Sequence, residues 1–137
     1  MPEDQRHRRG LLDTSVIVDL EALDPFQLPR EVAISAITMA ELAAGPHAAT
    51  EPAERGRRQD RLQRAEAAFD PLPFDGDGAR AYGRVFSSVI AAGRKARGPR
   101  ALDLLIAATA LAADIPLYTR SGHDFQALGD LVEVVVV

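Results

Sequence analysis

Along the chain, short apolar runs alternate with longer stretches in which apolar residues recur every three or four positions. Gly10 to Asp13 feeds Thr14 to Leu23 in a strand-then-helix pattern, and Asp24-Pro25 with Pro29 marks a loop. Glu31 to Ser35 reads as a second strand, followed by a helix from about Ile37 that Gly45-Pro46 is expected to stop. Residues 53–69 are charge-dense, with Leu62, Ala65 and Phe69 at helical spacing, which predicts a solvated surface helix. Asp70 to Phe74 carries two prolines and suits only an edge-like strand. A helix over 77–92 follows from the period of Tyr82, Val85, Phe86, Val89 and Ile90. After a basic loop at 93–99, Ala101 to Ala113 is apolar nearly all round, the mark of a buried helix. Residues 115–119 read as a strand, 121–128 as a turn with a short helix, and 131–137 as a last strand. The run Val134 to Val137 suits a strand covered on both faces.

Strands alternating with helices imply an α/β domain in three layers, α/β/α, around a central, mainly parallel sheet of about five strands. The chain has 137 residues, the usual size of one domain, and no internal repeat. Residues 1–9 are expected to be a flexible tail and 10–137 a single domain. Apolar residues make up 47% and charged residues 26%, as in an ordinary globular protein and unlike a disordered one. With no cysteine, a disulfide framework, a thiolate metal site and a cysteine nucleophile are excluded. The start, MPEDQRHRR, is too polar for a signal peptide, and no apolar run is long enough to span a bilayer. A soluble, cytoplasmic protein without membrane contact is expected. The formal net charge of −4 argues at first against nucleic acid as a partner.

Four carboxylates change that picture. Asp13 ends the first strand, Glu41 sits near the start of the helix after the second, and Asp124 lies in the turn after the strand ending at Thr119. Asp103 is the lone charge in the apolar stretch 101–113. Each has a local role that would account for it: a helix cap for Asp13, a Thr38–Glu41 capping box, a favourable helix dipole for Asp103, an Asx-turn for Asp124. In a parallel α/β sheet, however, residues following strands gather on one edge, where ligands bind. Converging carboxylates repel one another, and a hard divalent cation such as Mg²⁺ or Mn²⁺ removes the penalty. Asp19 and Glu21 are expected to face solvent. His7, His47 and His123 have no partner at i+4, so histidine ligation is not expected.

The blocks that carry these residues are Leu-Leu-Asp13-Thr14-Ser15, Ile-Ser35-Ala-Ile-Thr38-Met-Ala-Glu41-Leu with Gly45, Ala-Leu-Asp103-Leu-Leu-Ile-Ala-Ala-Thr109-Ala, and Leu-Tyr-Thr119-Arg-Ser-Gly-His-Asp124-Phe125. In order and spacing they resemble a PIN-domain ribonuclease, more narrowly the VapC-type toxin of a bacterial toxin–antitoxin pair, over nearly the whole chain. The resemblance implies that Asp13, Glu41, Asp103 and Asp124 hold one or two Mg²⁺ or Mn²⁺ ions, with Thr14 or Ser15 orienting Asp13 or a water. Ser121 stands where the family often has Asn. It also implies hydrolysis of RNA to 5′-phosphate and 3′-hydroxyl ends, inhibition of translation, a cognate antitoxin and a homodimer. The alternatives are a PIN-like binding or scaffold module without catalysis, which loss of the acidic quartet would signal, and a housekeeping RNA-processing nuclease. A receiver domain or a haloacid-dehalogenase-like phosphatase fits poorly: Thr14 and Ser15 stand where further acids would be needed, and no lysine follows Lys95.

Arg94, Lys95, Arg97 and Arg100 form a basic run just before Asp103, and Arg120 follows the 115–119 strand; these are the candidate contacts to RNA phosphates. Without the quartet, basic and acidic residues balance at 16 each, so the acidity of the chain equals its proposed metal site. RNA is then held by a metal and a few arginines, not by a broadly basic surface.

Overall fold

The computed structural model describes residues 6–96, 98 and 100–137. Its strands β1 (Arg9–Leu12), β2 (Glu31–Ala33), β3 (Leu117–Thr119) and β4 (Val134–Val136) form one parallel sheet in the order β2-β1-β3-β4. The helices are α1 (Thr14–Val18), α2 (Ala36–Ala48), α3 (Pro52–Ala68), α4 (Gly76–Ala91) and α5 (Arg100–Ala113), and a 3-10 helix spans Gly122–Leu128.

Strand side chains alternate between faces, and that alternation builds the three layers. Leu11, Ala33 and Leu117 enter one core with Val85 and Val89 of α4 and Leu104 and Ile106 of α5. Leu12, Ile34 and Tyr118 enter the other with Val16 and Ile17 of α1, Leu42 of α2 and Leu62 of α3. The expected three-layer α/β/α architecture is present.

Some local expectations are corrected. The sheet has four strands among the described residues: the stretch 70–74 adds a single parallel bridge, Ser35 with Leu72. The Leu72 N–H donates to Ile34 O at 2.9 Å and its carbonyl accepts from Ala36 N at 2.8 Å, but Pro71 and Pro73 have no N–H with which to extend the ladder. Helix α2 does not stop at Gly45-Pro46; it runs to Ala48. The turn disturbed by Pro46 is tied from outside, because Arg58 of α3 donates to Gly45 O at 2.9 Å and Arg55 to Ala49 O at 3.1 Å. Order also begins before Gly10: Arg30 N donates to His7 O at 2.9 Å and Glu31 N to Arg8 O at 2.8 Å. Residues 1–5 lie outside the described residues.

The C-terminal strand packs Val134 on one core and Val135 on the other, but incompletely. β4 is a sheet edge, and Val136 is 61% exposed. A 3-10 helix, not an α-helix, connects β3 to β4, and it lies close against that edge. A Cβ on Gly122 would sit 2.5 Å from Val136 Cγ2, so glycine is required where the connection crosses β4.

Candidate active site

The chain leaves β1 toward β2 on one side of the sheet and later leaves β3 toward β4 on the other. The carboxyl ends of β1 and β3 therefore flank a topological switch point, the usual ligand crevice of an open parallel sheet. A cleft of about 410 Å³ opens there, and Asp13, Glu41, Asp103 and Asp124 all line it, with Thr14, Ser15, Ser121, Asp19, Val18 and Phe125. A larger groove of about 790 Å³ beside β4 includes Asp130 and Glu133 but none of the four. Chemistry, not size, distinguishes the cleft.

Asp13 is 4% exposed and serves as the N-cap of α1. Its Oδ1 accepts from Val16 N at 3.1 Å and from Ser15 Oγ at 2.5 Å, while Ser15 Oγ accepts from Arg120 N at 3.1 Å. The cap and the cleft position are thus the same carboxylate, and the chain after β3 is pinned to the turn after β1. Glu41 is not part of a capping box. The N-cap of α2 is Ser35, whose Oγ accepts from Thr38 N at 3.0 Å, so Glu41 falls in the second helical turn with its own N–H inside the helix. Its Oε1 instead accepts from Thr14 Oγ1 at 2.8 Å.

The other half of the cleft is looser. Asp103 stands in the first turn of the buried helix α5 and is half-buried. Its carboxyl is pushed up to about 6, first by burial and then by the charges of Glu41, Asp13 and Asp124, against the opposing pull of Arg100. Among the described residues no side chain donates a hydrogen bond to it. Asp124, in the 3-10 helix, has Arg100 Nη2 at 3.9 Å from Oδ1, beyond hydrogen-bonding distance. Ser121 lines the cleft and donates its backbone N–H to Thr119 Oγ1 at 3.0 Å.

The basic candidates separate. Arg100 reaches the acidic cluster, and Arg120 Nε lies 3.7 Å from Asp19 Oδ2 at the cleft wall. Lys95 is exposed. Arg94 folds back on the 3-10 helix, donating to His123 O at 2.9 Å with Nη2 3.2 Å from His123 Nε2. Arg97 lies outside the described residues. Asp19 is exposed, as expected, and it also lines the cleft wall. The i,i+4 spacing from Ser15 to Asp19, one helical face, was a signal for it. Thr38, read from the sequence as part of a capping box, is instead fully buried and 3.1 Å from Thr14 Oγ1.

The cleft offers an all-oxygen donor set of carboxylates and hydroxyls, and the chain has no cysteine. Such donors suit a hard divalent cation. Among the described residues, no three carboxylate or histidine groups stand in an arrangement that could hold an ion directly. A Mg²⁺-like ion keeps several waters and takes one or two carboxylates directly, so the other carboxylates of such a cleft would act through its waters.

The fold and this cleft define a PIN domain: the profile of that family matches residues 10–131, and the chain belongs to it. Among its relatives is ribonuclease VapC5 of Mycobacterium tuberculosis (strain ATCC 25618 / H37Rv), 35% identical over 131 residues that cover 93% of each chain. Ribonuclease VapC4 of the same strain is 37% identical over 133 residues, 95% of this chain and 98% of that one. Among solved structures, the VapBC-5 member of the VapBC toxin–antitoxin family from M. tuberculosis superposes with a TM-score of 0.84 at 36% identity, over 95% of this chain and 99% of that one.

Proposed function

We propose that this protein is a metal-dependent endoribonuclease, the toxin of a toxin–antitoxin pair, in which Asp13, Glu41, Asp103 and Asp124 hold one or two Mg²⁺ or Mn²⁺ ions. The observation that carries it is the convergence of four carboxylates, from four separate segments of chain, on one cleft at the switch point. Their repulsion, which adds to burial in raising the Asp103 carboxyl, is a cost that a bound cation offsets. The ribonuclease relatives support RNA as substrate, and the VapBC structure supports a cognate antitoxin. When bound, such an ion neutralises charge on the scissile phosphate and acidifies water.

The chain's own residues do the rest. The Val16 N–H and the Ser15 hydroxyl fix Asp13, and the Thr14 hydroxyl fixes Glu41. Asp103 and Asp124 face them across the cleft, and a carboxylate there orients the attacking water. Lys95, Arg100 and Arg120 contact flanking phosphates. A homodimer completes the proposal, and the exposed Phe86 and Ile90 of α4 offer apolar surface for a partner.

The test is cleavage of total cellular RNA with Mg²⁺ or Mn²⁺, comparing wild type with Asp13→Asn and Asp103→Asn. Loss of cleavage in both variants and on chelation is expected. Variants that cut as well as wild type, or indifference to chelator, refute the metal-nuclease assignment.

A further inference from the structure

The Glu41 carboxylate terminates a chain of hydroxyl groups that runs into the core. Thr14 Oγ1 lies 2.8 Å from Glu41 Oε1 and 3.1 Å from Thr38 Oγ1, and Ser35 Oγ lies 3.3 Å from Thr38 Oγ1. Ser35 and Thr38 are both fully buried, so neither can exchange partners with water. Each hydroxyl has a single proton, and an ionised carboxylate only accepts. The polarity is therefore set from the Glu41 end. Thr14 spends its proton on Glu41, so the contact between the threonines must be Thr38 donating to Thr14. Thr38 is then free to accept from Ser35, whose oxygen in turn accepts the Thr38 N–H at 3.0 Å.

We propose that Thr38 is a positioning residue for Glu41: its buried hydroxyl donates to Thr14, commits the Thr14 proton to Glu41 Oε1, and so locks the orientation of that carboxylate toward the cleft. Because Ser35 is also the N-cap of α2, the relay ties the aim of Glu41 to the start of its own helix and, through the Ser35–Leu72 bridge, to the segment around Leu72. Removing the Thr38 proton leaves Thr14 without a donor and free to rotate, and Glu41 loses a fixed partner although nothing in the cleft has been touched. Groups that orient a metal-binding carboxylate in this way typically change metal affinity about 10–100-fold when lost. This inference rests on the metal-site assignment above.

The experiment is a Mn²⁺ titration of the intact protein followed by electron paramagnetic resonance, with thermal unfolding recorded in parallel. Thr38→Val is expected to weaken Mn²⁺ binding about tenfold. Thr38→Ser, which keeps the hydroxyl, should bind within about twofold of wild type. In a Glu41→Gln background, Thr38→Val should add no further loss, because the two residues act as one unit. Should Thr38→Val fail to fold, Thr14→Val in the half-exposed part of the relay takes its place with the same expectation. Wild-type binding that is lost in Asp13→Asn but unchanged in Thr38→Val overturns the positioning role alone. A Thr38→Val loss of equal size in the Glu41→Gln background overturns it too. A wild type that binds no Mn²⁺ overturns the metal assignment and this inference with it.

Discussion

The two halves of the cleft are built differently. On the β1 and α2 side, Asp13 is almost fully buried, caps a helix and accepts two hydrogen bonds, and Glu41 is held by Thr14. On the α5 and 3-10 side, Asp103 and Asp124 are half-exposed, and among the described residues only Arg100, 3.9 Å from Asp124, approaches them with opposite charge. One half is set in place by folding; the other carries unrelieved charge that folding must tolerate. If the cleft holds a cation as proposed, the second half would supply the charge it neutralises and the first the geometry.

The largest expected effect tests the prearranged half. Asp13→Asn preserves the N-cap, since Asn caps about as well as Asp, but removes the most buried charge of the cleft. RNA cleavage should fall about 10³-fold with little change in thermal stability. Asp124→Asn, in the looser half, should cost less, about 10–100-fold. Equal losses, or a larger one at Asp124, would break the comparison.

Metal removal probes the charged half. A cation that binds only the folded protein should raise its unfolding free energy by about 2.7 kcal/mol at a hundredfold excess over its dissociation constant. Urea unfolding with Mg²⁺ and with chelator measures this, and Asp103→Asn should lose most of the gain.

Stability in chelator then depends on pH through Asp103. Burial and the neighbouring carboxylates push its carboxyl up to about 6 from an ordinary 3.8, so folding takes up a proton between those values. The stabilisation from the neutral form is complete below pH 3.8 and is lost as pH rises through 6. After allowance for solvent screening at a half-exposed group, Asp103→Asn should be more stable than wild type by about 1–2 kcal/mol at neutral pH, with the gap closing toward pH 4. Asp13→Ala should move the other way, losing about 1 kcal/mol with its cap. Parallel pH profiles for wild type and Asp103→Asn would show that the charge at Asp103 costs nothing.

What could be read from the sequence follows the same division. Alternation at Leu11-Leu12 and the all-round apolar stretch of α5 report burial directly, and burial is what a period encodes, so the three layers were legible. Asp13, Glu41 and Asp124 were legible because they follow strands, a matter of topology alone, and Asp103 because it is the lone charge in an apolar helix. The relay through Thr38 was not: a Thr three residues before a Glu mimics a capping box, and only the backbone shows that Ser35 is the cap. The continuation of α2 past Pro46 depends on Arg58, a residue of the next helix. The exposure of β4 depends on strand order, which a run of valines does not contain.

Arg94 carries the smallest effect and the finest discrimination. A basic run beside an acidic site invites the inference that every cation in it meets phosphate. Yet the Arg94 guanidinium, in the loop after α4, donates to His123 O at 2.9 Å, and Ser88 Oγ of α4 donates to Ala127 O at 2.6 Å. Both bonds clamp the 3-10 helix that carries Asp124 onto α4 and the loop that follows it. A cation that neutralises a phosphate releases a counterion, so its removal lowers the salt dependence of RNA binding by about one unit of slope. Lys95→Ala and Arg120→Ala should show that change in binding measured from 50 to 200 mM salt with an Asp13→Asn protein. Arg94→Ala should leave the slope as it was, while cleavage drops severalfold and backbone amides over 122–128 exchange faster. A reduced salt slope in Arg94→Ala with unchanged exchange would move Arg94 from the scaffold of the looser half to its RNA surface.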